Sequence, residues 1–232
     1  MAIALDTSTN SGAQLAASTF NWSHTVSGSD RILVVGYGGR DATAGDMVLT
    51  SVTYGTLALT KLRSDAVTVD TSFRSEIWYL IGAPTGSASI TVTSTGAVEA
   101  CAASATSFTG VHQISPIAGQ GGASGITLAL SCNVVTVLDK AWIMDILYSR
   151  SGTITANVAQ TEITNLGVNS NDDKVGSSYK PNVTAITNTM DWTESNDGND
   201  WVMSAIALRP SHDLSFYKNV LRPRPFAPGN AR

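Results

Sequence analysis

Apolar and polar residues alternate with a period of two along much of the chain, which is the pattern of strands that bury one face. Phe20, Trp22, His24 and Val26 share one face of such a segment. Residues 31–36 follow as a short continuous apolar run, which is typical of a strand buried on both faces. Further strands are predicted at 47–54, 57–62, 66–70, 73–81, 88–94, 98–108, 126–130, 134–138, 141–148, 153–159 and 201–208.

Residues 140–149 fit two periodicities. Trp142, Ile143 and Ile146 could share one face of a helix, whereas the even-numbered residues from Trp142 to Tyr148 alternate equally well as a strand. We interpret the segment as a strand, because nowhere does a helical stripe of apolar residues continue for three turns. The pattern therefore predicts strands and turns throughout.

The composition supports an all-β fold. Ser and Thr make up roughly a quarter of the 232 residues, and 20 residues are Gly. Thr and Val favour strands, whereas Gly, Asn, Asp and Ser favour turns. Many strands separated by turn signals predict a two-sheet antiparallel β-sandwich of jelly-roll type over residues 1–210. An extended C-terminal arm is predicted at 211–232.

Charge and hydropathy exclude several classes of protein. A net charge of −4 argues against a globally basic nucleic-acid binder, and no stretch approaches the ~20 apolar residues of a membrane span. We therefore expect neither a nucleic acid nor a membrane as partner. Cys101 and Cys132 are too few for a disulfide scaffold. No cofactor-binding motif is present, so no cofactor is predicted.

The sequence contains no recognisable catalytic constellation. The three histidines lie far apart, and neither a nucleophile elbow nor a phosphate-binding loop occurs. Glu76, Glu99, Asp139, Asp145 and Glu162 lie in or beside predicted strands, and a glycosidase would need two such carboxylates across a cleft. Nothing in the sequence selects one pair, so we predict a protein that is not an enzyme.

The acidic stretch before the last predicted strand is the main candidate for a metal site, and residues 171–173 are a weaker one. Asp191, Glu194, Asp197 and Asp200 offer the oxygen ligands that calcium prefers, although their spacing does not match an EF-hand loop. A solvated turn explains the same residues, and we favour that interpretation. Trp192 lies in this predicted turn, so we expect its ring to be exposed and able to stack on a sugar.

The end of the chain differs from the rest in composition. Five of the 14 basic residues follow residue 208, against a single acidic residue, Asp213. The prolines exclude a helix or a central strand there, so the arm is predicted to be extended and polyproline-like. We expect its arginines to pair with carboxylates of a neighbouring chain and its phenylalanine to fill an apolar pocket. The predicted partner-binding residues are Arg222, Pro223, Arg224, Pro225, Phe226, Pro228 and Arg232.

A series of short segments carries a family resemblance: 20–26 leading into 31–36, 52–55 with Leu57, 77–80 with 83–86 and 90–93, 106–111 with 115–116, and 207–210. In this order they resemble a β-sandwich module, of concanavalin-like or jelly-roll type, that recurs in bacteriophage structural proteins and bacterial surface proteins. The ending at 222–229 also looks like the ends of phage virion proteins.

The resemblance implies a non-enzymatic structural component of a bacteriophage virion, either a capsid decoration protein or a tail or fibre subunit. Its expected partners are other virion proteins, reached through the arm, and further copies of itself in a homo-oligomer. The alternative is a carbohydrate-binding module for attachment to a surface glycan, with Trp192 as its contact.

Overall fold

The computed structural model describes residues 1–43, 45–69, 71–150, 152–195 and 200–211. These residues form antiparallel strands, which confirms the predicted all-β sandwich. The strands are β1 (Ala4–Asn10), β2 (Gln14–Val26), β3 (Ile32–Asp41), β4 (Leu49–Tyr54), β5 (Leu57–Ala58), β6 (Thr60–Val69), β7 (Thr71–Ile81), β8 (Gly86–Thr109), β9 (Ile117–Gly125), β10 (Ala129–Val135), β11 (Ala141–Ser149), β12 (Ile154–Ala156), β13 (Thr161–Val168), β14 (Asp173–Val183), β15 (Thr187–Glu194) and β16 (Trp201–Leu208). A short 3₁₀ turn, Asn169–Asn171, joins β13 to β14.

The strands assemble into three sheets. The first has eight strands in the order β5-β4-β8-β3-β7-β6, and β1 and β2 also pair with β8. The second has the order β13-β14-β11-β16-β9, and the third has the order β10-β15-β12. All of these pairings are antiparallel.

The first sheet folds over its own core. The 24-residue strand β8 pairs mainly with β2 and β4 in its first half and with β1 and β3 in its second half. One buried cluster combines Val35 of β3, Val52 of β4 and Ile90 and Ala105 of β8, and it contains no residue of the other two sheets. Because no other sheet covers this core, one part of the first sheet must fold over another part to bury it. The first sheet therefore contributes two layers.

The two halves of the chain repeat one path. In chain order, the strands β1 to β4 correspond to β9 to β12, and β6 and β7 correspond to β13 and β14. The long strand β8 corresponds to two strands, with β15 matching its first half and β16 its second half. The strand order β1-β8-β3-β7-β6 in one half matches β9-β16-β11-β14-β13 in the other, and β2-β8-β4 matches β10-β15-β12. We call residues 4–109 unit 1 and residues 117–208 unit 2.

Three apolar cores hold these layers together. The core described above fills unit 1, and a second, which includes Leu130, Ile143 and Met190, fills unit 2. The third lies between the units and joins Ile77 of β7 to Ile146 of β11. The sandwich is therefore four layers deep, with a middle pair of sheets that is covered on both faces.

The structure corrects the sequence interpretation in places. Residues 119–125, for which the sequence pattern predicted no strand, belong to strand β9, and their glycines let this strand cross the backbone of β10 closely. A Cβ on Gly121 would lie 2.0 Å from the carbonyl oxygen of Asn133. Strands β1, β13, β14 and β15 were not predicted, whereas residues 141–149 form a strand as expected.

Candidate functional site

Ser211 is the first residue of the predicted C-terminal arm and the last residue that the structure describes. Its amide donates a hydrogen bond to the Gly110 carbonyl oxygen at 2.7 Å. Its Oγ lies 2.9 Å from the amino group of Met1 and 3.2 Å from the Met1 carbonyl oxygen. The start of the arm is therefore tied to two segments that lie about a hundred or more residues away in the chain.

The residues just before Ser211 are held equally firmly. The Arg209 amide donates to the Pro116 carbonyl at 2.6 Å, and the His112 amide donates to the Arg209 carbonyl at 2.9 Å. Pro210 forms a bridge with Val111, which is fully buried. We call residues 209–211, together with 1–3 and 110–116, the arm root.

Gly110 is a residue of the arm root at which any substitution should be unfavourable. Its φ is +68°, which favours glycine, and a Cβ there would lie 2.0 Å from the carbonyl oxygen of Ala2. Because Ala2 precedes the buried Ile3, any side chain at residue 110 would push the first residues of the chain off the sandwich. Next to this packed site, the side chain of Ile114 is 89% exposed.

The partner-binding residues predicted in the arm, from Arg222 to Arg232, lie outside the described residues. The same holds for Asp197 of the acidic stretch. Of the predicted arm, the structure thus describes Ser211 alone.

The described acidic residues of the metal candidate do not converge. Asp191 and Glu194 lie on opposite faces of β15, and Asp191 accepts a hydrogen bond from Asn157 at 2.7 Å. Glu194 is buried and accepts one from Ser149 at 2.7 Å, while Asp200 lies just before β16. In the described part of the chain, no group of three or more His, Cys, Asp or Glu residues is arranged to hold a metal ion.

The prediction that Trp192 is exposed is wrong. Trp192 lies in the middle of β15, its side chain is 1% exposed, and its ring packs in the core of unit 2. Its indole nitrogen donates to the carboxylate of Asp145 at 2.8 Å. The polar residues around Trp192 suggested a turn, but strand pairing with β10 and β12 buries the ring.

Asp145 is a fully buried carboxylate, which the sequence offered only as one of five candidate acids in or beside predicted strands. Besides Trp192, it accepts hydrogen bonds from the Ser178 amide at 2.7 Å and the Ser178 hydroxyl at 2.9 Å. Burial raises the pKa of Asp145 to about 7, although these hydrogen bonds act in the opposite direction. Gln160 extends the network by donating to Ser178 at 2.8 Å. All of these groups are enclosed, so the network positions strands β11, β14 and β15.

His24 is buried, as its place on the apolar face predicted, and both ring nitrogens have partners. Nδ1 lies 2.8 Å from the Thr9 hydroxyl and Nε2 lies 3.2 Å from the Ser107 hydroxyl. Ser107 donates its proton to Asp6 at 2.7 Å, so it must accept from Nε2–H. Trp22 donates to Thr9 at 3.0 Å, which leaves the Thr9 proton for Nδ1.

The direction of these hydrogen bonds decides what the Asp6, His24 and Ser107 cluster can do. A nucleophilic serine gives its proton to the histidine, and the acid orients the histidine. Here the Ser107 proton goes to Asp6, and Ser107 is fully buried. The arrangement therefore fastens strand β1 to β2 and β8 and does not activate Ser107.

The same geometry explains the pKa shifts in the cluster. Burial lowers the pKa of His24 to about 4, although the negative charge of Asp6 acts in the opposite direction. Burial alone would raise the pKa of Asp6, but hydrogen bonds from Ser27 and Ser107 outweigh it and lower the pKa. Sequence reasoning could not find this cluster, because Asp6 and Ser107 are separated by 101 positions.

The other candidates from the sequence are dispersed. Glu76 is buried beside Lys61 and Arg74 and accepts a hydrogen bond from Trp78, which leaves it paired on all sides. Glu99 forms an ion pair with Arg40. Asp139 and Glu162 are exposed at other places on the surface.

Both cysteines are free and buried, in separate cores. Burial raises the pKa of Cys101 to about 12 and also raises that of Cys132, so neither thiol is a ready nucleophile.

The comparisons with known proteins add no relative. The chain matches no protein-family model, no curated protein and no solved structure. Among the described residues there is no helix with the length and apolar character needed to span a membrane.

Proposed function

We propose that the protein is a non-enzymatic structural component of a bacteriophage virion that attaches to a neighbouring subunit through residues 211–232. In this role it is a capsid decoration protein or a tail or fibre subunit. The observation that carries the proposal is the arm root. Ser211 and Arg209 are each held by backbone hydrogen bonds to residues 110–116, so a docked arm transmits force directly to a rigid four-layer body.

The charge distribution supports the binding of the arm to another subunit, because the arm and the rest of the chain carry opposite net charges. Residues 1–211 carry 10 Lys and Arg against 17 Asp and Glu, whereas residues 212–232 carry 4 against 1. Opposite charges in one chain favour contact with an acidic surface, and other copies of the protein offer one. Proline restricts the arm before it binds, which lowers the entropy that docking removes.

The carbohydrate-binding alternative has less support. Its proposed contact, Trp192, is enclosed in the core of unit 2 and cannot stack on a sugar.

The test compares incorporation of the full chain with that of a chain ending at Ser211, using particles of the phage that encodes the protein. The truncated chain keeps the arm root, so it should fold with an unchanged melting temperature and fail to enter the particle. A full-length chain with Arg222, Arg224 and Arg232 each replaced by Gln is the matched control for charge, and it should enter at reduced occupancy. Full occupancy of the truncated chain would refute the proposal.

A further inference from the structure

One end of unit 2 exposes three neighbouring apolar side chains. Val135 is 59% exposed, Val137 is 72% exposed and Ile186 is 61% exposed. The backbone brings them together, because Val135 lies opposite Thr187 in register and the Thr136 amide donates to the Ile186 carbonyl oxygen at 3.2 Å. Thr136 itself is buried, and the valines on either side of it face the solvent. We call Val135, Val137 and Ile186 the end patch.

The same pair of turns occurs in unit 1. Asp30, just before β3, has a φ of +50°, and Lys140, just before β11, has a φ of +62°. Gly82, just after β7, has a φ of +62°, and Asn182, near the end of β14, has a φ of +53°. Such left-handed residues are uncommon, so they fix the alignment of the two turns. Counted from them, the positions of the end patch correspond in unit 1 to Thr25, Ser27 and Gly86.

The fold does not require apolar side chains at these positions. In unit 1 the same backbone carries Thr25, Ser27 and Gly86, and all three are exposed. Exposed apolar side chains are unfavourable in water, and a cluster of them at a surface is typical of a contact site. The end patch is therefore a feature of unit 2 whose explanation lies in a contact and not in the turn itself.

In unit 1, the chain that follows the last strand lies against the equivalent turn. The Gly110 amide donates to the Ser29 carbonyl oxygen at 3.2 Å, and the Val111 amide donates to the Asp30 carbonyl oxygen at 2.9 Å. In unit 2, the chain that follows the last strand continues through Ser211 into the arm. The segment equivalent to the one that covers the turn of unit 1 is thus the beginning of the arm.

The beginning of the arm starts at the same end of the sandwich as the end patch and is long enough to reach it. Leu208 lies opposite Trp142 in register. Ser211 follows Leu208 by three positions, and Val137 precedes Trp142 by five positions. These steps limit the distance from Ser211 to Val137 to roughly 30 Å, whereas residues 212–221 can span ~33 Å.

The composition of residues 212–221 matches the end patch. Asp139 and Lys140, beside the patch, carry one charge of each sign, and so do Asp213 and Lys218 of the segment. A contact between them is therefore mainly apolar. The apolar residues of the segment are Leu214, Phe216, Tyr217, Val220 and Leu221. The arginines of the predicted partner-binding set all follow residue 221, so such a contact leaves them free for an acidic surface.

We propose that residues 212–221 bind the end patch of their own chain and cover Val135, Val137 and Ile186. A segment tethered directly beside its site has an effective concentration on the order of 1 mM, so in micromolar solution it binds its own patch in preference to that of a second copy. The contact forms in the isolated chain. Its test therefore needs no phage particle, and its failure would leave the proposed function standing.

Paramagnetic broadening in NMR spectra tests the contact. Asn219→Cys supplies a site for a nitroxide label, and Cys101 and Cys132 stay unlabelled near neutral pH because burial raises the pKa of both thiols. The amide signals of residues 135–137 and 185–187 should lose most of their intensity in the labelled chain. An isotope-enriched chain without nitroxide, mixed with unenriched chains that carry it, should keep these signals. Broadening in the mixture, or in neither sample, would overturn the proposal.

Polar residues like those of unit 1 test the patch itself. A chain with Val135→Thr, Val137→Ser and Ile186→Ser should keep its melting temperature and lose the broadening, because the apolar contact is gone. The matched control replaces three other exposed apolar residues by serine, and it should keep the broadening: Ile126, Leu128 and Val158. Broadening that survives in the patch variant, or that the control also loses, would overturn the proposal.

A variant of the arm keeps the proposal testable if the patch variant fails to fold. Phe216→Ser with Leu221→Ser leaves the sequence of units 1 and 2 unchanged, so the signals of their strands should not move. The broadening at residues 135–137 should be lost, since the segment no longer carries its apolar side chains. Unchanged broadening in this variant would show that these side chains do not hold the arm on the end patch.

Discussion

The indole nitrogen of Trp192 donates a hydrogen bond to the Asp145 carboxylate 2.8 Å away, in the core of unit 2. This bond joins β15 of the outer layer to β11 of the middle layer. It gives a hydrogen-bond partner to two polar groups that are buried away from water. A buried carboxylate without such a partner would cost free energy. Trp192 is therefore a structural residue, and its aromatic ring is unavailable to a ligand.

Trp192→Phe should lower the free energy of unfolding by ~2 to 4 kcal/mol, because it removes a hydrogen bond to a charged group and leaves a small cavity. Trp142→Phe is the matched control, since the Trp142 indole nitrogen has no hydrogen-bond partner among the described residues. Chemical denaturation of both variants measures the difference. Equal losses would mean that the bond to Asp145 contributes nothing.

Stability should depend on pH through His24. Its pKa is about 4 in the folded protein and about 6.5 when unfolded, so the folded state favours the neutral ring. The stabilisation is present above pH 6.5 and is lost as the pH falls toward 4, by up to about 3 kcal/mol.

His24→Gln retains a donor and an acceptor without titrating, so the stability difference between this variant and the parent should change with pH over that window. Subtracting the two curves also removes the opposite contribution of Asp145. Its raised pKa makes the folded state less stable as the pH rises from 3.8 toward 7. A difference that stays constant from pH 4 to 7 would contradict the assigned hydrogen-bond directions.

Gly110→Ala should disrupt the arm root. The new Cβ would overlap the Ala2 carbonyl oxygen and displace the first residues, so we expect a loss of ~2 to 4 kcal/mol, more than a positive φ alone costs. Gly12→Ala is the control, because Gly12 also has a positive φ of 65° but open space around it. Thermal unfolding of the two variants separates the overlap from the backbone strain.

Arg40 should stabilise the face between the units through Asp173. Asp173 is 1% exposed, and Arg40→Met removes the cation that lies 3.2 Å from its carboxylate, at a cost of ~3 kcal/mol. Adding Asp173→Asn should recover part of this loss, because the buried charge is then gone. A double-mutant cycle by denaturation measures the coupling, and a coupling near zero would contradict the role given to the pair.

Much of the fold could be predicted locally. The alternation of residues 20–26 and the apolar run at 31–36 each report burial of a strand by its neighbours, and both segments are strands in the structure. The glycine-rich strand β9 and the polar strand β15 were not predicted as strands, because their burial depends on neighbouring strands that are distant in sequence. Strand β10 lies against β9, and β10 and β12 pair with β15. For the candidate site, the composition of the arm is visible in the sequence, whereas its root is not.

The sequence by itself determined an antiparallel β-sandwich and a basic, proline-containing C-terminal segment, since strand periodicity and proline chemistry are local properties. Only the tertiary structure decided that Met1, Gly110 and Ser211 meet at one point and that the chain is two similar units stacked four layers deep. Contacts between residues a hundred positions apart depend on register and layer packing. The packing requires complementary shapes, as where Gly36 of β3 lies against Ile146 of β11, so the two units keep one path without keeping one sequence.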